Sequence, residues 1–170
     1  VIYRLARIYV SAIRGTPMLV QLFIIFYGLP SVGVKLDPFP SAIIAFSLNI
    51  GAYASETVRA SILSIPKGQW EAGSTVGLTY LQTFRHVILP QATRRMLPPF
   101  GNEFITLLKD SSLVSAIGVA ELAYVARTVS GRFSIYEEPY YTIALIYLVM
   151  TIGLAALFSW LEKRYRIGNR

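Results

Sequence analysis

The sequence predicts an all-α membrane protein, a helical bundle of four visible spans with a short cytoplasmic helical loop. Two observations support this fold class. Of the 170 residues, 54% are hydrophobic and only 15% are charged, whereas soluble domains carry about 25% charged residues. The apolar residues also gather into runs of roughly 20, the length that a helix needs to cross a bilayer. The spans are expected at about residues 8–29, 41–58, 97–119 and 140–161.

The four predicted spans differ in clarity. The last is the clearest, because residues 140–161 contain no charged side chain. The first contains Arg14-Gly15-Thr16-Pro17. Pro17 cannot donate a backbone hydrogen bond, so a break or kink is expected there. The two middle spans carry ionisable side chains, namely Glu56, Glu103, Lys109 and Asp110.

Charge assigns the sides of the membrane. The 16 Lys and Arg outnumber the 9 Asp and Glu, giving a formal net charge of +7. The basic excess lies in residues 1–14, 59–96 and 163–170. Positive segments stay on the cytoplasmic side, so these three are expected inside, with residues 30–40 and 120–139 outside. Orientation explains the charge, and binding to nucleic acid is not needed.

Several chemistries are disfavoured by composition. The chain has no Cys and one His, which leaves almost no ligands for a zinc or iron site and no disulfide framework. It also lacks a phosphate-binding Gly-x-x-x-x-Gly-Lys loop, so we expect no ATP site in this chain. Neither catalytic nor metal-ligating residues are predicted. An intramembrane enzyme is therefore a weak alternative.

The cytoplasmic loop has an internal plan. Pro66 can open a helix over residues 67–76, because its missing N–H is not needed there. Gly77 falls where a left-handed C-terminal cap is expected. Thr79-Tyr80-Leu81-Gln82 reads as a capping box that starts a second short helix, which is expected to end near Pro90. The predicted motif is helix, glycine turn, helix.

The loop at about residues 64–90 resembles the Glu-Ala-Ala coupling motif of ATP-binding-cassette (ABC) importer permeases. The matching residues are Glu71, Ala72, Gly73, Gly77, Ile88, Leu89 and Pro90, with Gly73 in place of the motif's second alanine. Other stretches resemble the polar amino-acid permeases of the histidine, glutamine, arginine and cystine type. They are Arg14-Gly15-Thr16-Pro17 with Gln21-Leu22-Phe23, Asn49-x-x-x-Tyr53-x-x-Glu56-x-x-Arg59, and Lys109-Asp110-Ser111-Ser112-Leu113.

The resemblance implies a single type I transmembrane domain over residues 1–170, in the cytoplasmic (inner) membrane of a bacterium. The family usually has five spans, so a first span is expected before Val1. Implied partners are an ABC ATPase dimer, a second permease subunit, an extracytoplasmic amino-acid-binding protein and membrane lipid. ATP and Mg²⁺ would be bound by the ATPase, with no cofactor in this subunit. An ATP-independent channel or structural membrane subunit is the main alternative.

A substrate path is expected where polar residues enter the spans. Asn49, Tyr53 and Glu56 are spaced by four and three residues, which places them on one helix face. An amino acid needs acceptors for its ammonium group and donors for its carboxylate. The candidates are Asn49, Tyr53, Glu56, Asp110, Ser111 and Ser112. The alternative is that acids in the spans form internal ion pairs, for example Glu103 with Lys109.

Two motifs also have structural interpretations. Glu71, Gly73 and Gly77 could belong to a capped surface helix without a partner, although the resemblance implies docking to the ATPase. Thr16 and Pro17 could simply start a helix, with Thr16 as N-cap and Pro17 as the first helical residue. The amino acid that is carried, and homodimer or heterodimer pairing, stay open.

Overall fold

The computed structural model describes residues 1–165 and is all-helical over that part of the chain. Part of the predicted basic tail, Arg166 and Arg170, lies outside the described residues. Eight α-helices follow one another, some continued by π or 3₁₀ turns. They are α1 (Ile2–Arg14), α2 (Met18–Phe23), α3 (Pro38–Leu63), α4 (Lys67–Thr75), α5 (Tyr80–Thr83), α6 (Leu89–Asp110), α7 (Leu122–Phe133) and α8 (Glu137–Tyr165).

The helix lengths agree only partly with four straight spans. Among the described residues, one helix is by itself long and apolar enough to cross a membrane, at Glu137–Arg164 with a mean hydropathy of 2.2. Two bent helix pairs bring the number to three if each pair is one span. The helix α3 has 26 residues, about 39 Å at 1.5 Å per residue, but Asn49, Glu56 and Arg59 reduce its apolarity.

The predicted break in the first span is confirmed. The helix α1 and the helical segment Met18–Val32 are bent by 107° relative to each other. The predicted cap is shifted by one residue, because Pro17 itself is the N-cap, with φ −64° and ψ 141°. The Thr16 hydroxyl instead donates to the carbonyl of Ala12 at 2.9 Å. It therefore closes the end of α1 and does not begin α2.

The first half of the loop folds as predicted. α4 ends at Thr75, and Gly77 adopts φ +81°. The N–H of Leu78 donates to the carbonyl of Gly73 at 3.0 Å, as in a glycine-terminated helix. Thr79 and Gln82 form the reciprocal capping box. The local chemistry of glycine and threonine is sufficient to specify this turn.

The second loop helix does not end near Pro90, contrary to the prediction. A π-helical turn, Phe84–Ile88, connects α5 directly to α6. Proline normally clashes with the carbonyl four residues before it and cannot bond to it. We attribute the uninterrupted helix to the wider π turn, which lies where that clash would arise. The third predicted span, residues 97–119, is accordingly the end of a longer helix and its 3₁₀ turn, Ser111–Ile117.

Small residues allow the long helices to pack closely. On α3, Ala42 and Ala45 are buried against Leu22 of α2 and Val114 of the 3₁₀ turn. Near the loop, a second cluster joins Ile65, Ile88, Ala92 and Met96. In lipid the hydrophobic effect does not drive helices together, so close van der Waals packing of this kind is what holds them.

Candidate functional site

A cavity of about 330 Å³ lies beside the break between α1 and α2. The break contributes Thr16, Pro17 and Met18, and α3 and α6 supply the other walls. Its volume is at the lower end of the range for small-molecule sites, about 300–1,000 Å³. The polar residues that line it are Thr16, Asn49, Tyr53, Asn102, Glu103, Thr106 and Asp110.

The cavity brings together three of the six predicted path residues: Asn49, Tyr53 and Asp110. Asp110 lies seven residues after Glu103 on α6, which is two helical turns, so both carboxyl groups are on the same side. The described residues that line the cavity include these two acids and no basic side chain. The site can therefore attract an ammonium group and would repel a free anion.

Glu56 lies elsewhere, in a separate cavity with Arg14 and Arg59. Its Oε2 atom accepts a hydrogen bond from Nε of Arg59 at 2.9 Å. The guanidinium of Arg14 is 3.9 Å away and also lies over the ring of Tyr53, 5.2 Å from its centroid. Glu56 therefore forms an internal ion pair, which was the alternative to a substrate-binding role for the acids in the spans.

The pair of Glu103 and Lys109, which was the alternative to a substrate role, is absent from the described residues. The Glu103 carboxylate instead accepts a hydrogen bond from the Thr57 hydroxyl of α3. Two polar side chains are joined in this way across the α3–α6 contact. Sequence spacing could not reveal that partner, because the two residues are 46 positions apart.

The two predicted serines lie past the end of α6, outside the 330 Å³ cavity. Ser111 donates to the carbonyl of Leu108 at 2.7 Å, and Ser112 to that of Lys109 at 2.8 Å. Hydroxyls that bond back to the preceding turn satisfy backbone groups at a helix end. Ser111 also borders another cavity, of about 440 Å³, together with Glu121 and Tyr147.

Gln21 was not predicted as a site residue, yet it organises the break. It is 7% exposed, and its Nε2 donates to the carbonyls of Ile13 at 2.6 Å and Thr16 at 3.0 Å. Its Oε1 accepts from Nδ2 of Asn49 at 2.9 Å. One amide thus ties α1, α2 and α3 together beside the cavity. In the sequence, the sign of this role was a single amide side chain four residues after Pro17 in an otherwise apolar run.

The loop between α3 and α6 forms a compact unit around Gly73. Gly73 is buried, and a Cβ atom there would lie 2.6 Å from Oγ1 and 3.0 Å from Cβ of Thr83. The ring of Trp70 stacks on Tyr80 with 4.9 Å between centroids. Close approach at the glycine and stacking beside it fix α4 against α5.

The coupling-motif residues divide into two groups. Gly73 and Ile88 face inward, Gly73 against Thr83 of α5 and Ile88 in the cluster with Ala92 and Met96. The other motif residues are exposed, namely Glu71, Ala72, Gly77, Leu89 and Pro90. Three large apolar side chains are also exposed at the tip of the loop, namely Val76, Tyr80 and Leu81. An exposed apolar group of this kind is typical of a surface that meets another protein.

Comparison with known proteins gives consistent likenesses. The family model described as "Binding-protein-dependent transport system inner membrane component" matches residues 1–167. The L-cystine transport system permease protein TcyB of Bacillus subtilis is 56% identical over 162 residues, covering 92% of this chain and 68% of the relative. The glutamine transport system permease protein GlnP of Escherichia coli K12 is 42% identical, covering 95% and 75%.

Solved structures show the same fold. A crystal structure of an amino acid ABC transporter with histidines superposes with a TM-score of 0.88 at 43% identity, covering 92% of this chain and 73% of that one. The MetNI methionine ABC transporter in an inward-facing conformation gives a TM-score of 0.80 at 21% identity, covering 98% and 76%. At that identity the second likeness concerns the fold alone.

Proposed function

Because this chain belongs to the family of binding-protein-dependent transport system inner membrane components, we propose that it moves polar amino acids into the cytoplasm. It is a permease subunit of an ABC amino-acid importer, and ATP hydrolysis occurs on a separate ATPase subunit. It is a membrane protein, as the family is an inner membrane component.

For the topology we propose four spans within one transmembrane domain, at about residues 8–29, 41–58, 97–119 and 140–161. The basic segments and the loop at about 64–90 lie inside. Cysteines introduced into the cysteine-free chain test this arrangement. Lys35→Cys and Arg132→Cys should react with an impermeant thiol reagent added outside, and Lys67→Cys should react only after permeabilisation. External labelling at position 67 would refute the orientation.

For the substrate path we propose the carboxylate-lined cavity beside the break. The observation that supports it is the pair of acids, Glu103 and Asp110, opposite Asn49 in a space suited to an amino acid. Ionisable side chains in a span are costly and are usually functional, and both acids here are partly buried. Glu56, Ser111 and Ser112 keep a proposed role at the edges of the path, where they would act when the helices rearrange during alternating access.

The experiment for this site is uptake of labelled amino acid into proteoliposomes. Asp110→Asn should reduce uptake at least about tenfold, since a charge-assisted hydrogen bond to the ammonium is lost. Glu138→Gln, an exposed acid at the start of α8, is the matched control and should transport normally. Normal uptake by Asp110→Asn would place the path elsewhere, while an unassembled complex would show a structural role.

For the cargo we propose L-cystine, because the relative at 56% identity is an L-cystine permease. Ligand-stimulated ATPase activity of the reconstituted importer, measured across the twenty amino acids and cystine, tests this choice. Stimulation by glutamine but not by cystine would refute it.

For the assembly we propose one permease pair, either homodimeric or heterodimeric, two ATPase subunits at the cytoplasmic loops, and an extracytoplasmic binding protein that delivers the ligand. The exposed apolar tip of the loop supports the ATPase contact. Glu71, Ala72, Gly73, Gly77, Ile88, Leu89 and Pro90 form the proposed coupling element. Co-purification of the ATPase should fail when Val76 and Leu81 are both changed to Asp.

A further inference from the structure

The first helix has a basic face that the proposed transport path does not use. Arg4, Arg7 and Arg14 are separated by three and seven residues, which places them on one side of α1. No residue of α1 is buried. The apolar side chains of Leu5 and Ile8 are 60% and 65% exposed. α1 is therefore strongly amphipathic, with both faces accessible.

The position of α1 suits a helix that lies along a membrane surface, in which case the first proposed span crosses the bilayer only after the break at Pro17 and does not begin at residue 8. Its 13 residues extend about 20 Å, too short for a hydrocarbon core of about 30 Å. It is bent by 107° from the helical segment that follows. The hydroxyl of Tyr9 donates to the carbonyl of Leu48 at 2.5 Å and so ties α1 to α3. Amphipathic basic helices of this kind bind at the interface.

Two cavities, each of about 560 Å³, run along this basic face and share Tyr3, Arg7 and Ser11. One continues to Arg14, Glu56 and Arg59, and the other to Arg4 and Ile8. The single carboxylate among these residues, Glu56, is paired with Arg59 and Arg14. The positive charges of Arg4 and Arg7 have no carboxylate among these residues to neutralise them, and the apolar side chain of Ile8 lies beside them.

We propose that this face of α1 binds an anionic phospholipid of the cytoplasmic leaflet. The headgroup phosphate lies against Arg4 and Arg7, since guanidinium groups bind phosphate through paired hydrogen bonds. The acyl chains follow Leu5 and Ile8. Only the choice of the cytoplasmic leaflet rests on the orientation proposed above. The lipid site itself is separate from the amino-acid cavity.

The experiment is a lipid titration of the intact permease–ATPase complex in detergent, with bound lipids counted by native mass spectrometry. The probes are phosphatidylglycerol, phosphatidylcholine and water-soluble glycerol phosphate. The native complex should bind phosphatidylglycerol in preference to phosphatidylcholine. The variant Arg4→Gln/Arg7→Gln should raise the dissociation constant for phosphatidylglycerol about tenfold, because two basic contacts to an anionic headgroup are lost.

The matched control is Lys35→Gln/Arg132→Gln, which removes the same charge from exposed positions on the proposed external side. It should leave phosphatidylglycerol binding unchanged. Three results would overturn the proposal. They are equal affinity in the Arg4/Arg7 variant, equally strong binding of glycerol phosphate, and dissociation of the complex in that variant, which would make α1 a subunit interface. Lipid binding without amino-acid uptake would refute the transport proposal alone.

Discussion

The buried contact between Gly73 and Thr83 makes a sharp prediction about the cytoplasmic loop. In Gly73→Ala the new methyl group would lie 2.6 Å from Oγ1 and 3.0 Å from Cβ of Thr83. Overpacking of this kind costs about 1–3 kcal/mol. Alanine recovers about 0.5–1 kcal/mol of helix propensity. The net destabilisation of the α4–α5 pair should therefore be between about 0 and 2.5 kcal/mol, with about 1 kcal/mol in the middle of that range.

Two variants separate the steric clash from other effects of the substitution. Thr83→Ala removes both the methyl and the hydroxyl that crowd the site, so it should restore much of the stability lost in Gly73→Ala. Gly68→Ala is the matched control, since it lies in the same helix and its Cβ would meet nothing within 4 Å. That variant should be neutral or slightly stabilising.

The assay combines thermal unfolding of the purified complex with ligand-stimulated ATPase activity and uptake in the same proteoliposomes. Gly73→Ala should unfold at a lower temperature and show weaker coupling of hydrolysis to uptake, and the double variant should approach the native values. The single variant Gly73→Ala, which retains Thr83, is the decisive case. If it is as stable and as well coupled as the native protein, the close packing of α4 against α5 is not required for stability or coupling.

Two further predictions concern the turn and the break. Gly77→Ala should strain the loop by roughly 1 kcal/mol, because φ is +81° there, whereas Gly77→Asn, which tolerates this conformation better, should be milder. Larger side chains such as arginine should uncouple ATP hydrolysis from uptake without preventing insertion, as measured by both activities in parallel. Gln21→Leu should lower stability by about 1–3 kcal/mol, because the amide of Asn49 loses its buried partner. Gln21→Glu keeps an acceptor for Asn49 but sets a carboxylate oxygen against the carbonyls of Ile13 and Thr16, so it should be at least as unstable as Gln21→Leu in thermal unfolding. Native stability of Gln21→Glu would argue against the two hydrogen bonds that Gln21 donates.

Local chemistry explains which parts of the fold the sequence could predict. The positive φ of Gly77, the capping box of Thr79 and the break before Met18 each depend on neighbours within a few residues. The uninterrupted helix through Pro90 was missed, because the preceding π turn has no local signature. Because proline usually terminates a helix, the sequence predicted an end near Pro90 that the structure does not have.

Side-chain contacts between the helices could be predicted less well than the helices themselves. Asn49, Tyr53 and Asp110 meet in one cavity, as polar residues in apolar helices suggested. The contacts of Thr57 with Glu103 and of Gln21 with Asn49 join residues 46 and 28 positions apart. Such pairs depend on how the helices rotate against each other, which helix periodicity alone leaves undetermined. The separation of Glu56 from Asp110 has the same cause.

The helix that continues through Pro90 also has a mechanical meaning. From Tyr80 in the loop to Asp110 at the cavity, the chain is one rod of about 46 Å at 1.5 Å per residue. A tilt of about 10° around its middle would move each end by about 4 Å. Pro98 and Pro99 lie between the ends and remove two backbone hydrogen bonds. In the coupling proposed above, the stiffness of the helix at these two prolines would determine how far a displacement of the loop is transmitted to Glu103 and Asp110.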